Sequence, residues 1–364
     1  MSKKKKDSAL SKVKSVGVSL LLGGNLLTLA LLWACCLFTW VDPSLHPRVA
    51  AFELAFPVFL ILNLLFIPLW LIFKVRMTVV PVLGIALCGG FVLDYCPLHF
   101  WNRGETEYDL KVMTWNCHNM CFYGGDSLKM ATDYIVQSGA DVVCLQEYGS
   151  GETKYNTFLA DMESQGYHTE ILSMLFFASR FPILSARLIA LESAATNSAM
   201  MADLQMGDDT LTVFCVHLES YGLSDDDKDN YGHVLRAPER GAVETEVSHL
   251  SGKIGQATSF RARQTKRLVE CLDSLPEGRA VLLCGDFNDT PISYAYQTLN
   301  KHLGNAYREG GFGVGISFNE RNFPFRIDHI FHSSHWTCQK ACIDRSMKAS
   351  DHYPLVAWLR KQGK

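Results

Sequence analysis

Hydrophobic and polar positions follow one pattern up to about residue 100 and another after it. In the first part apolar residues form long unbroken runs. Residues 16–40 hold 25 consecutive positions without a charge, more than the roughly 20 that cross a bilayer core. A second run, residues 49–73, is interrupted only by Glu53 near its start, and a third, residues 77–93, is short and carries Gly84, Gly89 and Gly90. Three transmembrane helices are expected over these runs, with a re-entrant hairpin for the last two as the competing reading. A basic start followed by an apolar stretch also fits a cleaved signal peptide, but the first run is too long for its apolar region and further runs follow.

From Leu110 onward the runs are short. Strands are expected over 111–117, 141–146, 172–178, 187–191, 199–205, 211–218, 280–284, 327–332 and 354–359, and a helix over 127–138. The clearest helix is 258–275, with Leu268, Cys271, Leu272 and Leu275 on one face and Arg261, Arg263, Lys266 and Arg267 mostly on the other. Many strands with few helices between them suggest two packed sheets with helices outside. Residues 219–256 are long, polar and Asp-rich, which suggests an insertion or lid beside a site. The expected organisation is a membrane domain over 1–100, a linker over 101–109 and one α/β unit over 110–364.

Charge separates the same two parts. Residues 1–100 carry nine Lys/Arg and four Asp/Glu, net +5, and residues 101–364 carry 25 and 33, net −8, so the overall −3 is an average of unlike halves. The Lys3 to Lys6 cluster and the Lys74-Val75-Arg76 turn point to the cytoplasm, which with three spans puts the α/β unit outside it. A polytopic anchor of this kind suits a bacterial inner membrane. Twelve Cys are spread thinly with no CxxC pair, so zinc and thioredoxin-type centres lack support. The four-residue spacings Cys117/Cys121 and Cys338/Cys342 leave a disulfide open.

Polar residues recur where the apolar strands end. They are Asn116 after Met113-Thr114-Trp115, Glu147 after Leu145-Gln146, His217 after Val216, Asp286 and Asn288 in Gly285-Asp286-Phe287-Asn288, Asp328 after Arg326-Ile327, and Asp351-His352 in Ser350-Asp351-His352-Tyr353-Pro354. Singly, such an Asp is more often a turn or cap residue. Together and in this order they resemble the endonuclease/exonuclease/phosphatase superfamily over nearly the whole soluble part. Members of that superfamily include pancreatic-type deoxyribonucleases, abasic-site endonucleases, inositol polyphosphate 5-phosphatases and neutral sphingomyelinases.

The resemblance implies a four-layer α/β sandwich, two packed and mostly antiparallel sheets flanked by helices, here preceded by N-terminal transmembrane helices. It also implies Mg²⁺-dependent cleavage of a phosphoester by water. Mg²⁺ takes oxygen ligands and keeps several waters, so one or two carboxylates suffice. Glu147 is the first choice of ligand, with Asn116 and Asp351 completing or supporting the shell, and Mn²⁺ is the alternative ion. Asp286 is the expected base, Asn288 would fix the water or a phosphate oxygen, and His352 would donate to the phosphate, held by Asp328. His217 matches the second histidine of the family, a phosphate contact or leaving-group acid. Asn197 falls where relatives contact phosphate, although a turn role competes. Arg180 matches a motif that is mostly structural, and His329 should face away from Asp328.

The chain lacks the Gly often found ahead of the Ser-Arg-Phe-Pro segment and the extra glutamate of pancreatic-type deoxyribonucleases, which sets it apart from that type. Its acidic catalytic part, with Asp225-Asp226-Asp227 in the lid and no basic patch interleaved with aromatics, argues against duplex DNA. The spans argue for a phospholipid or another phosphoester at the bilayer surface. A membrane-tethered nuclease acting on DNA or RNA fits the same sequence. An inactive binding scaffold would have lost a core carboxylate or histidine, and none is missing. No protein partner is inferable.

Overall fold

Strands β1 (Leu110–Asn116), β2 (Val142–Gln146), β3 (His168–Leu172), β4 (Leu175–Ser179), β5 (Ile183–Ile189), β6 (Ser198–Met206), β7 (Asp209–His217), β8 (Ala280–Asp286), β9 (Gly304–Asn305), β10 (Phe318–Glu320), β11 (Phe323–Phe325), β12 (Asp328–His332), β13 (Trp336–Ile343) and β14 (Leu355–Lys361) carry the soluble part. The computed structural model describes residues 2–100, 106–120, 127–149, 153–195, 197–236, 240–320 and 323–363. Half of the expected linker, residues 101–105, and Cys121 lie outside the described residues. The helices are α1 (Ser2–Phe38), α2 (Pro47–Ala50), α3 (Phe56–Phe73), α4 (Val79–Leu87), α5 (Gly89–Tyr95), α6 (Ser127–Ser138), α7 (Thr153–Ser164), α8 (Asp225–Arg236), α9 (Arg240–Asp273), α10 (Tyr294–Leu299) and α11 (Ala306–Gly310).

One sheet has the order β13-β14-β1-β2-β4-β3 and the other β5-β6-β7-β8-β12-β9, with β10-β11 as a separate ribbon. The pairings β1 with β2 and β7 with β8 are parallel. Because successive side chains alternate between faces, each strand feeds two layers. Val112, Cys144, Val213, Cys215, Leu282, Cys284 and Ile330 meet between the sheets. Their neighbours Met113, Trp115, Val143 and Leu145 pack instead on α6 and α7 through Ala131, Ile135, Phe158 and Met162. Phe214, Leu283 and Phe331 pack on α9 and α10 through Leu268, Cys271, Tyr296 and Leu299. The result is the four-layer α/β sandwich, helix on sheet on sheet on helix, held by burial worth about 1.5–3 kcal/mol for each large apolar side chain.

Several elements differ from the sequence reading. The single strand expected over 172–178 is the hairpin β3–β4, turned at Ser173 with φ 59°. Strands β3, β9, β10, β11 and β13 were not expected. β13 is an edge strand whose register shifts between Cys338 and Lys340, which breaks the apolar alternation. Within the polar stretch 219–256, α8 and the first half of α9 are helical. Sparse apolar residues hide these helices in the sequence. Polar contacts join them: Asp227 accepts Lys253 Nζ at 2.5 Å and the Ser224 backbone N–H at 2.7 Å, and its other oxygen lies 2.9 Å from His249 Nε2. Cys338 and Cys342 are free thiols.

In the N-terminal part, the stretches Ser15–Phe38 and Pro47–Phe73 are long and apolar enough to cross a membrane, and the pair Val75–Leu87 and Gly89–Tyr95, bent by 69°, is either a broken third span or a re-entrant loop. Their outward faces are apolar, as at Leu20, Ile72 and Leu87. Polar groups turn inward and pair: Asn25 Nδ2 donates to Asn63 Oδ1 at 3.0 Å and Trp70 Nε1 to Asn25 Oδ1 at 2.9 Å. That arrangement is expected where no water is available to hydrogen-bond them. The soluble part rests against the ends of these helices near residues 39–55 and Tyr95. Ser259 Oγ donates to the Pro43 carbonyl at 2.8 Å, Lys266 pairs with Asp42, and Gln297 Nε2 donates to Asp94 at 3.0 Å.

Candidate active site

Three of the expected residues stand side by side on neighbouring strands. In register, His217 of β7 is opposite Asp286 of β8, and Asp286 is opposite Asp328 of β12. All three share the strand face that carries Cys215, Cys284 and Ile330, so they point between the sheets at the point where the apolar layer ends. Gly285 makes this row possible. Its φ is 155°, and a Cβ there would lie 1.9 Å from the Val216 carbonyl oxygen.

The facing sheet supplies Asn116 at the end of β1. Its Nδ2 bridges two carboxylates, Glu147 Oε1 at 2.9 Å and Asp286 Oδ2 at 3.0 Å, while its Oδ1 accepts the His118 backbone N–H at 3.1 Å. Glu147 follows Leu145-Gln146, and strand alternation would carry it to the outer helix layer with Leu145. A left-handed backbone, φ 51°, turns it back. Asn288, also at φ 51°, donates its backbone N–H to Asp286 Oδ1 at 2.7 Å and its Nδ2 to the Leu218 carbonyl at 2.9 Å.

Asp286 Oδ2 is the hub of the arrangement. Besides Asn116 it lies 3.7 Å from His352 Nε2 and 3.8 Å from His217 Nε2. His352 Nδ1 is 2.8 Å from Asp328 Oδ2, and Ser350 Oγ accepts its backbone N–H at 3.1 Å. His217 Nε2 is buried without a hydrogen-bond partner and sits 3.6 Å from Glu147 Oε1. Asp351 Oδ1 is 3.7 Å from His118 Nδ1, which is itself 3.3 Å from Glu147 Oε2. Asn197 stands behind this group, donating to the Leu218 carbonyl at 2.7 Å and accepting from Ser193 at 3.2 Å.

Burial and neighbouring charge set the protonation states. Burial works against the Glu147 carboxylate, but the contacts of His118, His217 and Asn116 hold it down at about 2. Burial pushes Asp286 up to about 6, with the nearby Asp328 adding to the effect and the flanking histidines opposing it. Burial opposes a charge on His352, and Asp328 and Asp286 override it, raising the imidazole to about 10. The site therefore combines an ionised carboxylate, a carboxylate poised near neutrality and a charged imidazole.

His118 was missed by the sequence reading, although it lies two residues past Asn116. Two further residues stay apart from the site. His329 faces the outer layer, where its Nε2 meets the Asp289 carbonyl at 3.0 Å among aromatic rings. Arg180 stacks 4.0 Å over the Tyr167 ring.

The donor set fits a hard divalent cation. Carboxylates of Glu147, Asp351, Asp286 and Asp328 converge, the buried Asp328 Oδ1 lacks a hydrogen-bond partner, and single ligand atoms of Asp286, Asp328 and His352 lie within 4.8 Å of one another. Because His352 Nδ1 is engaged by Asp328, the oxygen-rich side around Glu147 and Asp351 suits such an ion better.

A sandwich of two mixed sheets with a carboxylate–histidine cluster at its strand ends brings acid, base and cation-binding groups together. Residues 113–352, most of the chain, match the endonuclease/exonuclease/phosphatase family, and residues 18–95 match a domain of unknown function. The chain belongs to the endonuclease/exonuclease/phosphatase family, whose members hydrolyse phosphoester bonds and generally depend on divalent metals.

Similar solved structures include a family member from Bacteroides vulgatus (14% identity, 70% of this chain and 100% of that one, TM-score 0.52). Another is a family member from Beutenbergia cavernae (17%, 71% and 72%, TM-score 0.50). A third is sphingomyelinase C from Streptomyces griseocarneus (16%, 70% and 99%, TM-score 0.50). These likenesses establish the fold. No curated protein sequence matches the chain.

Proposed function

We propose that this protein is a membrane-anchored, Mg²⁺-dependent phosphoester hydrolase acting on a phospholipid headgroup or another phosphodiester at the bilayer surface. The observation that carries the reading is the position of Asp286 Oδ2, with Asn116, His217 and His352 around it and Glu147 alongside. Glu147 is the principal oxygen ligand, supported by Asp351 and Asn116. Mg²⁺ or Mn²⁺ there supplies Lewis-acid and templating chemistry for phosphoester cleavage.

The protein's own groups do the rest. Asp286, pushed up to about 6, takes the proton of the attacking water. The Asn288 backbone N–H holds Asp286 Oδ1, which leaves Oδ2 to face that water, and we assign the Asn288 amide oxygen to orienting it. His352, charged and held by Asp328, donates to the phosphate oxygens, where negative charge develops. His217 contacts the phosphate or protonates the leaving group, and Asn197 supports the loop beneath.

A membrane-surface substrate is supported by the path of the catalytic loop. Ile292, six residues past Asp286, packs among Leu32, Cys35, Phe56, Leu60 and Cys88 of the apolar helices. Six residues span at most about 20 Å, so the site lies near the helix ends. We assign residues 1–100 to a membrane domain and 110–364 to the catalytic unit, with 219–256 as its inserted helical lid. Lys74 and Arg76 follow α3 at the end away from the catalytic unit, which supports an extracytoplasmic catalytic side at a bacterial inner membrane.

The test is Mg²⁺-dependent hydrolysis by the full-length protein, and by Asp286→Ala, of sphingomyelin, phosphoinositides, single-stranded and duplex DNA, and RNA. Lipid turnover that vanishes in the variant is the expected result. Turnover of nucleic acid alone would replace the lipid reading with a tethered nuclease.

A further inference from the structure

The third apolar run of the sequence closes on an acid, Asp94, which lies in the last turn of α5 and is buried. Its carboxyl group is held from the catalytic unit. Oδ2 accepts Gln297 Nε2 of α10 at 3.0 Å, and Oδ1 pairs with Arg308 of α11, whose Nη1 also donates to the Gly90 carbonyl at 3.2 Å. A buried carboxyl group persists where donors satisfy it, and these donors belong to the catalytic unit rather than to the membrane helices.

From Asp94 the network reaches the catalytic centre by two routes. The same Gln297 Nε2 donates to the Pro291 carbonyl at 2.9 Å, so one buried side-chain amide bridges the end of α5 and the loop that carries Asn288. Beside Pro291, Ile292 is seated among Leu32, Phe56 and Cys88 of the apolar helices. The second route starts from the backbone. A carbonyl in the last turn of a helix has no partner inside that helix, and the Asp94 carbonyl accepts Nη2 of the buried Arg326, whose guanidinium stacks 4.2 Å over the Tyr307 ring. Arg326 stands two residues before Asp328, and the Ile327 carbonyl between them accepts the Phe287 backbone N–H at 2.9 Å. One helical turn thus touches both backbone segments that flank the Asp286–Asp328 pair.

We infer that Asp94 is a positioning residue for the catalytic loop, acting through Gln297 on Pro291, from a helical turn that Arg326 fastens to the start of β12. Asp94 touches no reacting group. Because its turn is fixed against the strand of Asp328, its side chain sets where the loop of Asn288 lies relative to the His352 imidazole that Asp328 holds. The kinetic part of this inference rests on the proposed roles of Asp286, Asn288 and His352; the structural part does not.

Two measurements on the full-length protein in nanodiscs test it. Hydrogen–deuterium exchange of Asp94→Ala and, separately, of Gln297→Ala, which leaves Asp94 paired with Arg308, is expected to rise over residues 287–293 while β8 and β12 stay protected. Unchanged exchange over that loop in Gln297→Ala would overturn the inference whatever the substrate, and so would a rise spread over the whole catalytic unit. Magnesium-dependent hydrolysis of a soluble chromogenic phosphodiester by either variant is expected to show kcat lowered about 10- to 100-fold with KM unchanged. Asp94→Asn keeps an acceptor oxygen for Gln297 and should recover most of that loss. The double variant Asp94→Ala, Gln297→Ala is expected to lose little more than either single one, because the two residues act in series. A full, multiplicative loss would mean that Asp94 does not act through Gln297. A wild-type protein inactive on every phosphoester would count against the proposed function alone, because the exchange result stands without activity.

Discussion

His352 and Asp328 form the shortest contact between ionisable groups in the site, Nδ1 to Oδ2 at 2.8 Å, and both are buried. The partnership leaves Nε2 facing Asp286 and the space where a phosphate would lie. It also keeps the imidazole charged although burial opposes the charge.

Removing the negative charge of that pair should abolish the donor. Asp328→Asn is expected to lower kcat by about 100- to 1,000-fold, as loss of one preorganised donor to a developing anion does, with little change in Mg²⁺ affinity. Steady-state kinetics across magnesium concentrations check both halves of this expectation.

The same pair has a stability signature with a definite sign. A histidine raised from 6.5 to about 10 in the folded protein contributes stability that is complete below pH 6.5 and is lost as pH rises through about 10. Metal-free protein in detergent should therefore lose stability between pH 7 and pH 10, and Asp328→Asn should lose less over that window. Thermal fluorimetry at the two pH values, read as the difference between the variants, decides it; equal losses would mean that the pair is not linked to folding.

Glu147, held down at about 2, is ionised at any working pH and needs no proton released before it binds a cation. Glu147→Gln is expected to raise the magnesium concentration for half-maximal activity by at least about tenfold. Calorimetric Mn²⁺ binding to the wild type and the variant gives a readout that does not depend on turnover. Equal affinities would move the ion to another set of oxygens.

Gly285 admits no side chain. With φ at 155° and backbone 1.9 Å from the position of a Cβ, Gly285→Ala forces β7 and β8 apart at the row that holds His217 and Asp286. The expected outcome is a clear fall in Tm or failure to accumulate folded protein, against a neutral outcome for Gly278→Ala in cavity terms, since no atom lies within 4 Å of a Cβ there. Any loss at Gly278 would then report its φ of 74° alone.

The proposed extracytoplasmic side of the catalytic unit has a direct test. Alkaline phosphatase fused after Lys364 in a bacterial host is expected to be active and green fluorescent protein fused there dark. The reverse pattern would place the unit beside Lys74 and Arg76.

Much of this protein is determined by local pattern. Alternation within β1, β7, β8 and β12 is enough to put Asn116, His217, Asp286 and Asp328 on inward faces and His329 on the outward one, because side-chain direction in a strand depends only on parity. Unbroken apolar runs likewise announce the helices of the first hundred residues, since a run of about 20 apolar positions is the length a helix needs to cross a bilayer core. Parity fails for Glu147, where a left-handed backbone reverses the direction of the side chain, and the residue type at that position does not announce the reversal. The helices of 219–256, the bend between α4 and α5, the approach of His118, and the seating of Ile292 among the apolar helices were decided only by tertiary structure. Each depends on contacts between segments far apart in the chain, and the free energy of such contacts is absent from any local window of sequence.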